Sequence, residues 1–310
     1  MQDSTIDSLL KQTPLVSDGA MATELEKRGV ATDSALWSAT AMLDHPEAIA
    51  AVHQSYFAAG AQIATTNTYQ ANVPAFVHAG IAAPKARKLI QAAVTIANTA
   101  KQDFAASHPD FNGVVAGSIG PYGAYLADGS EYTGKYHLDE VAYQEFHRER
   151  LDLIMAAGVD LLALETMPKL EEVQALVHLI TVNYPQQKYW VSFSIADPQT
   201  LCDGTPLAEA ARWVVDQPNV VAVGVNCTTL ANIEPALKTL RAATDLPLIV
   251  YPNSGDLYDP VTKTWQPTQH GETFETAVPG WLAAGAQIIG GCCRTTPADI
   301  RTVATQLARR

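Results

Sequence analysis

Cys292 and Cys293 are adjacent, preceded by Gly290 and Gly291 in GGCCRTTPADI (290–300), and Cys227 closes the apolar run VVAVGVNC (220–227). Three thiolates from two chain positions suit zinc: a structural zinc site closes with a fourth protein ligand, whereas a catalytic one leaves a position for water or substrate. No CxxC pair occurs in the chain, so this is not the spacing of a zinc ribbon. Cys202, in DPQTLCDGTP, would complete a four-cysteine structural site; otherwise it is a loop cysteine that packs. Two blander readings compete. Buried cysteines serve as small hydrophobes, and adjacent ones can form a redox pair, although the disulfide is geometrically strained. The two glycines favour metal, because a tightly bent backbone lets both neighbouring thiols reach one ion. Thr296, Pro297 and Asp299 read as the N-cap, first-turn proline and acidic first turn of a helix that fixes this hinge.

Eight apolar, β-branched runs must position these groups: 15–20, 63–69, 114–120, 161–167, 189–195, 220–228, 246–253 and 286–293. Several lack alternation, as strands covered on both faces do. Segments of helical spacing separate them, for example PEAIAAVHQSYFAAG, and glycines at 60, 158 and 285 suit helix C-caps. Strand-then-helix units in this order predict an α/β fold, a parallel (β/α)8 TIM barrel with residues 1–310 as a single domain. An open doubly wound sheet is the alternative, but no dinucleotide fingerprint accompanies it. In a barrel the strand C-termini form one rim. That rim would gather Asp18, Thr66, Asn67, Ser118, Glu165, Asn226, Cys227, Asn253, Cys292 and Cys293, with two long loops, 121–137 and 254–272, above it.

Composition narrows the function classes. The chain has 310 residues, 47% of them hydrophobic, and a net charge of −12, which argues against phosphate backbones and anionic membrane surfaces as partners. The N-terminal MQDSTIDSLLKQTP lacks the basic leader and apolar core of a signal peptide, and no apolar stretch nears the ~18 residues of a membrane span. A cytoplasmic protein is expected. None of the eight histidines belongs to the strand-end set, which disfavours a metal-assisted barrel hydrolase. A thiol-binding or redox-sensing zinc protein is the non-enzyme alternative.

GVNCT (224–228) and GGCCRTTP (290–297) together resemble the zinc motifs of the homocysteine S-methyltransferase family. The likeness extends through DGAMATEL (18–25), TTNTYQA (65–71), GSIGPYGAYLADGSEY (117–132), LALETMP (162–168) and VYPNSG (250–255), nearly the whole chain. It is nearest to the short bacterial enzymes that use S-methylmethionine, without the C-terminal extension of betaine-using members or the appended folate and cobalamin domains of cobalamin-dependent methionine synthases. The resemblance implies zinc, one ion per chain, held by Cys227, Cys292 and Cys293, and transfer of a methyl group from S-methylmethionine or S-adenosylmethionine to homocysteine. It implies Asp18 and Glu165 near the amino-acid substrate, and no need of cobalamin or folate.

The chemistry accounts for the residue types. A free thiol has a pKa of about 8.5, and a coordinated one is deprotonated. Three cysteine thiolates keep the substrate sulfur electron-rich enough to attack, so the second of the adjacent cysteines supplies charge as well as a ligand. The attacking group is then the substrate thiolate itself, with no protein residue as nucleophile. The acceptor's ammonium needs Glu165 or Asp18; its carboxylate would suit the N–H groups of Ser118-Ile119-Gly120. Thr66, Asn67, Ser118 and Asn226 are the remaining candidate substrate contacts. A sulfonium donor suits aromatic faces, for which Trp37, Tyr69, Tyr122 and Tyr125 are candidates.

Overall fold

The computed structural model describes residues 5–12, 14–32, 37–255, 257–259, 264–266 and 271–309. The apolar runs form eight strands: β1 (Leu15–Val16), β2 (Ile63–Thr65), β3 (Val114–Ile119), β4 (Leu161–Met167), β5 (Tyr189–Phe193), β6 (Val220–Asn226), β7 (Leu248–Tyr251) and β8 (Ala286–Ile289). Each pairs in parallel with its sequence neighbour from β2 through β8, and β8 pairs in parallel with β1. A bridge between Ser17 and Ile63 closes the ring, with the Gln62 N–H donating to Val16 O at 2.8 Å and the Asp18 N–H to Ile63 O at 3.0 Å. The result is the expected barrel and not the open sheet.

Helices follow the strands because each strand's outer face is apolar and must be covered. The main layer comprises Pro46–Ala58, Ala83–Ser107, Glu140–Ala157, Leu170–Asn183, Leu207–Val215, Leu230–Arg241, Phe274–Ala283 and Pro297–Ala308. Inside the barrel, Leu15, Ile63, Val114, Leu161, Trp190, Ile249 and Ile288 pack into one cluster. Ile6 and Leu9, from a short helix Thr5–Leu10 that the sequence reading did not anticipate, join it. Gly158 caps its helix in the left-handed region, and Gly60 and Gly285 have φ of 105° and 101° just past theirs. Among the described residues no helix is long and apolar enough to cross a membrane.

The strands are shorter than the apolar runs that announce them. Thr66, Asn67, Cys227, Cys292 and Cys293 all lie beyond the last paired residue of their strands. The ladder ends where the chain turns over the rim: Cys227, just past β6, has a φ of 53°, and Thr166, at an irregularity before the last pair of β4, has a φ of 58°. Left-handed backbone at a residue other than glycine costs energy and clusters at functional sites. Of the two long rim loops, 121–137 contains the helix Tyr122–Leu126 and the 3-10 turn Ser130–Tyr132. The 254–272 loop lies partly outside the described residues, which include an antiparallel pair, Leu257–Asp259 with Thr264–Gln266.

Candidate metal centre and substrate cavity

Cys227 follows β6, and the cysteine pair follows β8, so β7 stands between them. They are second neighbours on the rim. The segment after β7 links the two ends. The Cys227 N–H donates to Tyr251 O (3.1 Å), the Cys292 N–H to Pro252 O (2.7 Å), and Ser254 N–H donates to Cys293 O (3.0 Å). The ligand atoms of the three cysteines lie within 4.8 Å of one another, with the Cys227 and Cys293 sulfurs 3.6 Å apart. Tetrahedral zinc with bonds of about 2.3 Å separates its sulfurs by about 3.8 Å, so the trio fits the ion. Cys202 is not part of the trio; its sulfur lies 3.3 Å from the Ser194 hydroxyl.

Charge leads to the same conclusion. Hydrogen bonds from Cys292 and Cys293 hold the Cys227 thiol well below its ordinary range, while their bonds to Cys227 hold Cys292 and Cys293 well above theirs. Three thiols this close oppose one another's ionisation. Ionising all three requires a cation among them, and metal binding releases the remaining protons.

Gly290 and Gly291 have a different purpose from the one expected. Neither has a positive φ; the left-handed turn falls on Arg294, at 66°. A Cβ on Gly290 would stand 2.8 Å from Asp18 O and one on Gly291 2.3 Å from the Thr295 hydroxyl, so the pair allows close approach of β1 and the following turn. The Gly291 N–H accordingly donates to Asp18 O at 2.9 Å. The helix start reads as expected: Asp299 accepts from the Thr296 N–H and hydroxyl, each at 2.8 Å.

A cavity of about 290 Å³ opens beside the thiols, and Asp18, Thr66, Asn67, Ser118, Glu165 and Asn226 all line it with the three cysteines. Their side chains divide into two groups. Asp18 and Glu165 are acids held by neutral donors. Asp18 accepts from the Thr65 N–H (2.7 Å) and hydroxyl, and Glu165 accepts from the Ser118 hydroxyl and faces the Tyr251 hydroxyl. Burial pushes Asp18 up to about 8, against the Thr65 hydrogen bonds and helped by the Glu165 charge. Burial likewise pushes Glu165 up to about 7, against its hydroxyl partners. Two neighbouring acids that form no ion pair among the described residues are arranged to receive a cation.

Thr66, Asn67 and Asn226 bond mainly within the protein. Asn226 Oδ1 accepts from Thr166 N–H (2.9 Å) and the Ser192 hydroxyl (2.7 Å), and its Nδ2 donates to the Thr166 hydroxyl (2.7 Å). Asn67 exchanges two bonds with Ser38, and the Thr66 hydroxyl bonds Thr68 and the Ser118 N–H. The N–H groups expected to hold a carboxylate are thereby committed: Ser118 donates to Thr66, and Gly120 donates to Tyr69 O. Asn253 does not line the cavity, and the Trp37 side chain lies outside the described residues. Tyr69 lines it; Tyr122 and Tyr125 do not, packing instead against each other and Phe146. The sequence reading missed Tyr251, Glu131 and Tyr132, whose hydroxyl lies 3.3 Å from Cys227 Sγ. The stretch GSEY carried the last two in plain view, but nothing local said which of its side chains turned inward.

Asp18 also sets a pH dependence. Its carboxyl is protonated in both folded and unfolded chains below about 3.8 and ionised in both above about 8. Between those values the unfolded chain has lost a proton that the folded one keeps, so stability falls as pH rises. Asp18→Asn is expected to raise the thermal midpoint of the metal-free protein more at pH 8.5 than at pH 5, while lowering homocysteine affinity. Equal shifts at the two pH values, read by calorimetry, would refute the assignment of a strained acid.

A family model described as Homocysteine S-methyltransferase matches residues 15–307. A homocysteine S-methyltransferase of Escherichia coli (strain K12) is 48% identical over 304 residues, 96% of this chain and 97% of that protein. One from Bacillus subtilis (strain 168) is 44% identical over 304 residues, 96% of each chain. The metallated form of the homocysteine methyltransferase MmuM from Escherichia coli superposes with a TM-score of 0.88 at 44% identity, covering 98% of this chain and 100% of that one.

Proposed function

This chain belongs to the homocysteine S-methyltransferase family, and on that premise we propose that it moves a methyl group from S-methylmethionine to the sulfur of homocysteine, at one zinc ion per chain held by Cys227, Cys292 and Cys293. The observation that carries the reading is the thiol trio lining one cavity with two acids that hydroxyl and N–H donors hold. Bound there, zinc would supply the positive charge that ionises the three cysteines and lowers the pKa of a substrate thiol beside them.

In this reading Asp18 and Glu165 receive the acceptor's ammonium, whose arrival favours their ionised forms. Thr65 and Ser118 hold the two carboxylates in place, and Asn226, Asn67 and Thr66 brace the strand ends that carry them. Fixing both ends of the acceptor, ammonium and sulfur, aims the sulfur lone pair at the donor, and such positioning supplies much of the rate of a two-substrate displacement. The acceptor's thiol proton leaves to solvent. The methyl–sulfur bond of the donor breaks as the new one forms, and the sulfonium becomes a neutral thioether. Both products are methionine when S-methylmethionine is the donor. The reaction needs neither cobalamin nor folate, and the cytoplasm is its proposed location.

The preference for S-methylmethionine over S-adenosylmethionine rests on the 121–137 loop, whose sequence resembles that of the S-methylmethionine enzymes. Its turn Ser130–Tyr132 brings Tyr132 against Cys227. An adenosyl group needs an additional pocket beside that turn, and specificity follows differential binding in the transition state. Initial rates with homocysteine and each donor in turn test the reading. The expected kcat/KM with S-methylmethionine exceeds that with S-adenosylmethionine by at least about tenfold, roughly 1.4 kcal/mol, with negligible rates for betaine and methyltetrahydrofolate. Equal or better rates with betaine would overturn the donor assignment.

A further inference from the structure

The cavity holds a third buried acid that the acceptor does not require. Glu131, in the turn Ser130–Tyr132, is 5% exposed and lines the same cavity as the thiols. Its Oε2 is buried without a hydrogen-bond partner among the described residues. Asp18 is anchored by the Thr65 N–H and hydroxyl, and Glu165 by the Ser118 hydroxyl, so this oxygen sets Glu131 apart. A buried carboxylate oxygen without a donor is costly unless a ligand brings positive charge to it.

The surroundings say which kind of charge. Tyr69 and Tyr132 line the cavity with Glu131, and after burial itself the Glu131 charge is the largest influence raising the Tyr69 hydroxyl pKa, so the two are neighbours. Tyr132, the next residue, reaches Cys227 Sγ at 3.3 Å. Glu131 therefore belongs to the part of the cavity beside the thiols, among aromatic side chains. A cation without N–H groups fits such a corner: it gains from aromatic faces and from a nearby carboxylate, and it demands no hydrogen bonds. A donor sulfur must stand in line with the acceptor sulfur, on the far side of the transferring methyl, whose carbon lies about 3–3.5 Å from the acceptor sulfur.

We propose that Glu131 is a specificity-determining residue that holds the sulfonium charge of the methyl donor, with Tyr69 and Tyr132 beside it. The inference rests on the sulfonium-donor reading above and adds to it the group that recognises the charge. It carries a kinetic signature. The donor's positive charge disappears as the methyl leaves, so a fixed negative charge stabilises the bound donor more than the transition state. Removing that charge should weaken donor binding while leaving kcat equal to or somewhat above that of the parent. The neutral thioether product gains nothing from Glu131, which favours its release.

Calorimetric titration of the zinc-loaded protein and its Glu131→Gln variant tests this with four ligands: S-methylmethionine, trimethylsulfonium, methionine and homocysteine. Glu131→Gln is expected to weaken S-methylmethionine and trimethylsulfonium by at least about tenfold, and methionine and homocysteine by less than about twofold. The donor KM should rise at least about tenfold with kcat within about threefold of the parent. Unchanged sulfonium affinity would overturn the proposal. So would equal weakening of S-methylmethionine and methionine, because Glu131 would then be meeting the ammonium they share. If Glu131→Gln does not fold, Glu131→Asp decides: it keeps the charge and should bind trimethylsulfonium within about fivefold of the parent, and a larger loss counts against the charge. Trimethylsulfonium binding does not depend on which donor is used. Failure of S-methylmethionine turnover with a Glu131-dependent sulfonium affinity would thus refute the donor reading alone.

Discussion

Alanine at Cys227, Cys292 or Cys293 is expected to lower bound zinc from about one ion per chain to near zero and to lower turnover by at least about a thousandfold. Two thiols cannot hold the ion in an open three-ligand site, and loss of any one also removes a negative charge from the sulfur cluster. The three are tied to one another by the segment after β7, which bonds the backbone of Cys227, Cys292 and Cys293. The backbone geometry should therefore survive the truncation, and the effect should fall on metal and rate far more than on folding. Cys202→Ala is the control and should keep both, since its sulfur faces Ser194 and not the trio. Metal analysis of anaerobically purified protein, paired with initial rates, reads the result. A cysteine variant with full turnover and no zinc would remove the site assignment. Loss of metal from Cys202→Ala would restore the four-cysteine structural alternative.

The second large effect concerns a buried ion network behind the cavity wall. Glu172, His147 and Arg150 are almost wholly buried. Glu172 Oε1 takes the Tyr122 N–H (2.6 Å) and lies 2.8 Å from His147 Nε2, while Oε2 takes the Tyr136 hydroxyl (2.5 Å). Arg150 donates to His147 Nδ1 (2.9 Å), Tyr69 O (2.8 Å) and Gly120 O (2.6 Å). Because Nδ1 accepts from Arg150, the ring is neutral and its Nε2–H donates to Glu172. Burial, aided by the Arg150 charge, lowers the His147 pKa accordingly. The network thus fastens the 121–137 loop, through Tyr122 and Tyr136, to the rim carbonyls after β2 and β3. Glu172→Ala leaves Arg150 buried without its counter-charge, which is expected to cost about 3–5 kcal/mol and to lower the thermal midpoint by about 5–15 °C. Glu172→Gln keeps an acceptor for Tyr122 and should lose less. A midpoint within about 1 °C of the parent for Glu172→Ala, by differential scanning calorimetry, would show that the loop is held by other means.

Much of this was legible along the chain, for identifiable reasons. Strands buried on both faces must be continuously apolar, so the barrel's eight strands announce themselves, and their order follows from the short connections of strand–helix units. The chemistry of a site depends on residue type, and three cysteines with two acids at strand ends are rare enough to stand out. Helix starts are local, so the Thr296–Asp299 box could be read directly from the residues that make it.

What only the tertiary structure decided is pairing. Asn226, Asn67 and Thr66 looked like ligand contacts because polar residues at strand ends usually are, yet their partners, Thr166, Ser38 and the Ser118 N–H, come from other elements. The Ser118–Gly120 N–H groups were equally plausible as an anion site until Thr66 and Tyr69 were seen to occupy two of them. Gly290 and Gly291 were expected to allow a bend, but what requires them is the approach of Asp18 and Thr295. Glu131 and Glu172 are the sharpest cases: two glutamates, both buried, one bonded on both oxygens by the fold and the other, at the cavity wall, with an oxygen that has no hydrogen-bond partner among the described residues. Residue type fixes what a side chain can bond to, while which bonds the protein itself satisfies depends on packing between distant segments. The oxygens left over after that packing are what the chain offers to a ligand.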